Sequence, residues 1–79
     1  MSNRYTPLRN KYRMVIEWAE DDQCFVVSLP DFEQVMQPIT DGQTYEEAAR
    51  HGNEAIESLI DFYAAEGWSL PKAQILQVA

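Results

Sequence analysis

Hydrophobic and polar residues alternate in two short segments of the chain, and this alternation predicts two β-strands. In residues 12–18 every second side chain is apolar and large, as in a strand with one buried face. In residues 24–29 the larger apolar side chains again share one face. A short polar segment separates the two, so we expect a β-hairpin. Pro30 ends the second strand because proline has no N–H to donate.

One long helix is predicted after the strands. Thr44 and Glu47 have the spacing of a capping box, in which each side chain accepts a hydrogen bond from a backbone N–H near the other. The apolar residues that follow recur with helical spacing and give one continuous stripe. Gly67 is typical of the end of such a helix. Gly52 lies on the stripe, where it costs about 1 kcal/mol relative to alanine, and we interpret it as a close approach of helix and sheet.

Weaker signals complete the predicted fold. A third strand is expected near residues 34–39, where Pro38 marks either an edge of the sheet or the end of the strand. A turn is expected at Asp41 and Gly42. A last short strand is expected at residues 73–78. The sequence therefore predicts an α+β domain of order β-β-β-α-β, with a small antiparallel sheet and one long helix packed on one face.

The charges are distributed unevenly along the chain. The net charge is −7, yet the first thirteen residues carry four basic side chains and no acidic one. We therefore predict a flexible basic arm at residues 1–10 and a single domain, strongly acidic, at residues 11–79. An acidic surface repels nucleic-acid phosphates and attracts a basic partner. The alternative is a charge that only keeps an ordinary domain in solution.

Size and composition limit the class of protein further. With 79 residues the chain builds one thin core, so we expect self-association into a dimer or tetramer. No apolar run approaches the roughly 20 residues of a membrane-spanning helix, and residues 1–10 lack the apolar stretch of a secretory signal. We therefore expect a cytoplasmic protein without a membrane partner, a location that the single Cys24 also fits.

The residue types that carry catalysis are scarce. One cysteine, Cys24, and one histidine, His51, make neither a zinc site nor a nucleophile–base pair with an orienting third group. Glu17, Glu47 and Glu54 are the set that could hold metal ions for a nuclease. Capping accounts for Glu47, and the outward face of the helix for Glu54. We therefore expect a binding protein and not an enzyme, with no metal and no cofactor.

Acidic residues cluster at three places and are the candidates for partner binding. Two clusters lie in the hairpin loop and after the second strand, and a third lies on the outward face of the helix. Like charges at helical spacing destabilise a helix by about 0.2–0.5 kcal/mol per pair. A basic partner would relieve that repulsion, and a solvated helix face is the alternative. The candidate contact residues are Glu20, Asp21, Asp22, Asp31, Glu33, Glu54, Glu57 and Asp61.

Several segments together resemble a known family. A strand ending in Pro-Asp at residues 30–31 is followed by Asp-Gly-Gln-Thr-Tyr-Glu-Glu-Ala at residues 41–48 and by Gly-Trp-Ser-Leu-Pro at residues 67–71. Over residues 12–72 this order of segments resembles the HicB-like antitoxin family of bacterial and archaeal toxin-antitoxin systems. The resemblance implies a truncated ribonuclease-H-like fold without a catalytic apparatus.

The resemblance also implies a function and a partner. Such a protein would bind a small basic HicA-like toxin, an mRNA-cleaving ribonuclease, and neutralise it by masking its active site. Many members carry a C-terminal DNA-binding domain, and the sequence to Ala79 contains no such domain. We therefore do not expect DNA binding, unless the basic arm with Arg4, Arg9, Lys11 and Arg13 takes its place. The alternative is an orphan homo-oligomeric HicB-like domain that serves as a binding or regulatory unit without a toxin partner.

Overall fold

The computed structural model describes residues 11–74, which form a three-stranded antiparallel sheet and one helix. The strands are β1 (Val15–Ala19), β2 (Cys24–Ser28) and β3 (Thr40–Gly42), in the spatial order β1-β2-β3, and the helix α1 spans Tyr45–Glu66. The predicted α+β class, with a small antiparallel sheet and one long helix, is confirmed. No helix in this part of the chain is long and apolar enough to cross a membrane.

Two predictions fall on the ends of the chain. The basic arm at residues 1–10 lies outside the described residues. The last strand was predicted at residues 73–78, of which only residues 73 and 74 are described, and these two are not in a strand.

The first two strands form the expected hairpin. Ala19 pairs with Cys24 at its closed end, and the N–H of Gln23 donates to the carbonyl oxygen of Ala19 at 2.8 Å. Gln23 has φ of 55°, in the left-handed region that a tight connection uses. β1 begins three residues later than the predicted segment, but Tyr12 and Met14 before it still pack against the core as their alternation predicted.

The core lies between one face of the sheet and α1, which rests mainly on β3 and β2 and touches β1 little. A Cβ atom added at Gly52 would lie 2.7 Å from the Met14 sulfur and 3.1 Å from Val27 Cγ1. The interpretation of Gly52 as a close approach is therefore confirmed. The fully buried large side chains are Val27, Leu29, Phe32 and Ile56, and each contributes about 1.5–3 kcal/mol through burial.

The position of the third strand was predicted wrongly. Residues 34–39 form turns and irregular backbone, and the strand is Thr40–Gly42. The N–H of Leu29 donates to Oε1 of Gln37 at 2.8 Å, and Nε2 of Gln37 donates to the carbonyl oxygen of Leu29 at 3.1 Å. This side-chain amide occupies the two backbone groups that a longer third strand would have to pair. Pro38 stands where the pairing would continue and has no N–H to offer.

Gly42 lies in β3 and not in a turn. It pairs with Phe25 and is buried beneath the start of α1. A Cβ atom added there would lie 2.5 Å from the backbone nitrogen of Ala48. The strand can therefore approach the helix backbone this closely only with glycine at position 42.

Both ends of α1 are capped as predicted, with one difference. The hydroxyl oxygen of Thr44 accepts a hydrogen bond from the N–H of Glu47 at 3.0 Å. The carboxylate of Glu47 accepts from the N–H of Gln43 at 2.6 Å, one residue before the position that a capping box uses. At the other end Gly67 has φ of 73° and donates to the carbonyl oxygens of the last turn, so the helix stops there.

Candidate functional site

The hairpin end of the sheet carries a row of three aromatic rings. The pairing of β1 with β2 sets Trp18 opposite Phe25, and their ring centroids are 5.1 Å apart. Tyr45, the first residue of α1, lies on the other side of Phe25 at 4.3 Å. Trp18 is 48% exposed and Tyr45 63% exposed. We call Trp18, Phe25 and Tyr45 the aromatic row; its two outer rings are open to solvent.

Three acidic residues adjoin this row in the hairpin loop. Glu20 is held beside Trp18, whose indole Nε1–H donates to Glu20 Oε1 at 2.7 Å. The side chain of Gln23 donates to both the carbonyl oxygen and the carboxylate of Glu20, at 2.8 and 3.3 Å. Asp21 and Asp22 follow and are exposed. In residues 11–74 none of these three acids forms an ion pair, so their charge faces outward.

Asp31 does not belong to an exposed surface, and its prediction as a contact residue is corrected here. Its side chain is fully buried beside that of Arg13. Nε and Nη2 of Arg13 donate to Asp31 Oδ1 at 3.1 and 2.8 Å, and the backbone N–H of Arg13 donates to Oδ2 at 2.9 Å. Asp31 therefore ties the segment before β1 to the segment after β2.

The pKa of Asp31 reflects two opposing effects. Burial raises the pKa, but the hydrogen bonds from Arg13, the positive charge of Arg13 and the backbone N–H of Gln74 lower it further than burial raises it. The net pKa lies below the ordinary value for aspartate, so the carboxylate stays charged within the fold.

The other predicted contact residues are exposed but lie elsewhere. Glu33 adjoins an open cleft at the far end of the molecule, which is also lined by Tyr63, Trp68 and Lys72. The remaining three stand on α1 about 14 to 24 Å beyond its first residue, at 1.5 Å per residue. They are Glu54, Glu57 and Asp61. The structure therefore does not bring these acids together with those of the hairpin loop.

Within residues 11–74, one acidic side chain of α1 forms an ion pair. Arg50 Nη1 lies 3.6 Å from Glu54 Oε2, and both side chains are more than 60% exposed. An exposed i,i+4 pair of this kind contributes about 0.3–0.5 kcal/mol. It reduces the repulsion that the sequence suggested along this face, because Glu54 is partly neutralised by its neighbour.

The side chains of Cys24 and His51 have different surroundings in the fold. Burial, followed by the nearby carboxylates of Asp41 and Asp22, raises the pKa of the Cys24 thiol, which disfavours the reactive thiolate. Nδ1 of His51 is 2.6 Å from the carbonyl oxygen of Asp41. Among residues 11–74 no group of three or more His, Cys, Asp or Glu side chains is placed to hold a metal ion.

The aromatic row was missed at the level of sequence. Trp18 falls on the core-facing side of the alternating strand and Tyr45 on the apolar stripe of the helix, so both were assigned to the core. The signal that marks them is position: one lies at the end of β1 beside the acidic loop, and the other is the first residue of α1. No family model, curated protein or solved structure matches this chain.

Proposed function

We propose that this chain is an antitoxin-like protein of the HicB type, which binds a small basic HicA-type ribonuclease and neutralises it by masking its active site. One observation carries the proposal. Residues 11–74 contain thirteen acidic and four basic residues, and two of those four, Arg13 and Arg50, already form ion pairs. The outward charge is therefore strongly negative, and it suits a basic protein partner.

Such a function needs no chemistry from this chain. A ribonuclease that cleaves mRNA must present a positive surface to the phosphates of its substrate. An acidic protein that covers that surface competes directly with RNA, and the opposite charges speed the encounter of the two proteins. The exposed carboxylates of the hairpin loop, Glu20, Asp21 and Asp22, are the first choice for this contact, and the exposed acids of α1 are the second.

Self-association is part of the proposal. β1 and β3 are the edges of the described sheet, and an exposed strand edge is a common place for pairing with another chain. We propose a dimer or tetramer that acts in the cytoplasm.

One surface favours the second candidate function, an orphan homo-oligomeric HicB-like domain without a toxin. Phe62, Trp68 and Leu70, at the end of α1, are 47–48% exposed, and Phe62 and Trp68 pack edge to face at 5.4 Å. An exposed apolar cluster of this kind suits a contact between two copies. In that case self-association alone would be the purpose of the domain.

The test is to capture the partner and measure its activity. Tagged protein is used to purify partners from native lysate with a salt gradient, and each captured basic protein is assayed for cleavage of mRNA. We expect a basic protein, at most about 100 residues long as a single small domain, whose cleavage stops when this chain is added in equal amount. Recovery of the chain only with itself would favour the orphan domain.

Charge reversal then tests the contact surface. Asp21→Lys and Asp22→Lys should weaken partner binding and reduce its dependence on salt. Glu66→Lys is the matched control, since Glu66 is an exposed acid outside the predicted contact set. If the loop variants and the control behave alike, docking through the hairpin loop is wrong.

A further inference from the structure

We infer that the aromatic row, Trp18, Phe25 and Tyr45, together with Glu20, is a binding site for an arginine side chain of a basic protein partner. The partner's identity rests on the proposed function, and the chemistry of the contact rests on the geometry of these residues.

The two outer rings are accessible to a cation from solvent. The row is continuous, with centroid distances of 5.1 and 4.3 Å, and the two outer rings are about half or more exposed. Tryptophan and tyrosine attract a cation placed over the ring, and tryptophan does so best. Exposed aromatic anchors of these two types also dominate the binding energy of many protein interfaces.

The carboxylate beside the rings is fixed in place. Glu20 accepts hydrogen bonds from the Trp18 indole and from Gln23, so it does not have to be ordered when a partner binds. A guanidinium is planar, stacks on aromatic rings and donates to a carboxylate in the same plane. An ammonium group is a compact, strongly hydrated charge and gains less from the rings. The site therefore favours arginine over lysine.

The described part of this chain does not supply the cation itself. Arg13 pairs with Asp31 and Arg50 with Glu54. Among residues 11–74 neither Lys11 nor Lys72 forms an ion pair with Glu20. Lys72 lines the cleft beside Trp68. The positive end of the α1 dipole lies at Tyr45 and amounts to about half an elementary charge. Glu46 and Glu47 in the first turn carry two negative charges, which exceed it. The local field therefore remains attractive to a cation from outside.

The experiment uses a short Arg-Gly repeat peptide as the probe, with its Lys-Gly counterpart for comparison. The full-length protein is titrated with each peptide while the amide and indole N–H signals are followed by NMR. We expect the indole signal of Trp18 to shift saturably and that of Trp68 to stay in place. We also expect the arginine peptide to bind more tightly than the lysine peptide.

Variants make the assignment specific. Trp18→Leu and Tyr45→Leu keep an apolar side chain beside Phe25 and remove the ring. Each substitution should lower the affinity for the arginine peptide by about three- to tenfold, which corresponds to the loss of one exposed or partly buried cation–π contact. Trp68→Leu is the matched control, because Trp68 is 47% exposed against 48% for Trp18. Circular dichroism verifies that each variant is folded.

Two results would overturn the inference. One is an equal effect of Trp18→Leu and Trp68→Leu on peptide affinity; the other is a set of shifts spread over the acids of α1 without Trp18, which indicates diffuse electrostatic attraction. Neither result bears on the proposed function, which the captured ribonuclease tests separately. Conversely, if the chain binds the arginine peptide at Trp18 but inhibits no ribonuclease, the arginine site is supported and the proposed toxin partner is refuted.

Discussion

Asp31→Asn should destabilise the fold much more than the loss of one negative charge from the surface would. The Asp31 side chain is fully buried and accepts hydrogen bonds of 2.8, 2.9 and 3.1 Å from Arg13. Asparagine keeps the shape but has one acceptor oxygen, and its NH₂ group would face donors. At least one of the donors from Arg13 is then left without an acceptor.

The size of the effect follows from which donors lose their partner. In one orientation of the asparagine amide the part-buried backbone N–H of Arg13 loses its acceptor, and in the other the buried NH₂ group of the asparagine faces the guanidinium without an acceptor. An unsatisfied buried donor costs about 1–3 kcal/mol in either case. The Arg13 side chain is 50% exposed, so its guanidinium can turn to water and adds less. We expect Asp31→Asn to lower the free energy of unfolding by about 2–3 kcal/mol at neutral pH. A domain of this size has roughly 4–12 kcal/mol in total.

The pH dependence has a definite sign. Because the pKa of Asp31 in the folded protein is below that of the unfolded chain, the folded state binds a proton less tightly there. The stabilisation is complete above the unfolded pKa of about 3.9 and is lost as the pH falls through the folded pKa. Asparagine does not titrate, so the difference in stability between the two proteins should shrink in acid.

The assay is urea unfolding followed by circular dichroism at a series of pH values. Glu33→Gln is the matched control, since it removes one charge from an exposed acid two residues away and should change stability by less than about 0.5 kcal/mol. The reasoning fails if both variants are equally stable. It also fails if the gap between wild type and Asp31→Asn widens as the pH falls.

Three further predictions concern two glycines and Cys24. Gly42→Ala should cost about 3 kcal/mol or more, because its Cβ would lie 2.5 Å from the fixed backbone nitrogen of Ala48. Gly52→Ala should lower urea stability clearly less than Gly42→Ala, since the nearest atoms to the new Cβ are the mobile end of Met14, with Val27 Cγ1 at 3.1 Å, and alanine gains about 1 kcal/mol in helix propensity; equal losses in the two variants would contradict this. Cys24 should react with a thiol reagent more slowly in the folded protein than in urea, because the side chain is buried and because burial and the carboxylate of Asp41 raise its pKa. Similar rates in both states would show that the thiol is accessible.

The parts of the fold that could be predicted are those determined by local periodicity. The hairpin and α1 each carry a repeat of apolar positions and an end signal within a few residues, and both were located correctly. The third strand was not located correctly, because its position is determined by a side chain and not by a periodic pattern. Gln37 takes the backbone groups of Leu29, eight residues earlier, and no sequence pattern marks a side-chain amide that replaces a strand.

Exposure of the acidic residues was the harder quantity to predict. Asp31 and Glu33 are neighbours with the same charge, yet one is buried and the other exposed. What separates them is Arg13, which lies 18 residues before Asp31 and reaches it through the tertiary fold. Charge alone therefore led to the proposal of a basic partner, and only the fold shows which carboxylates are exposed.

The exposure of Trp18 has a related origin in the way the helix crosses the sheet. α1 rests mainly on β3 and β2 and touches β1 little, because Gly42 lets β3 approach the helix backbone closely. β1 is therefore little covered by the helix. A tryptophan placed there by the strand alternation packs on Phe25 with one side and meets solvent with the other. The close contact at Gly42 and the open aromatic row are therefore two consequences of one packing arrangement.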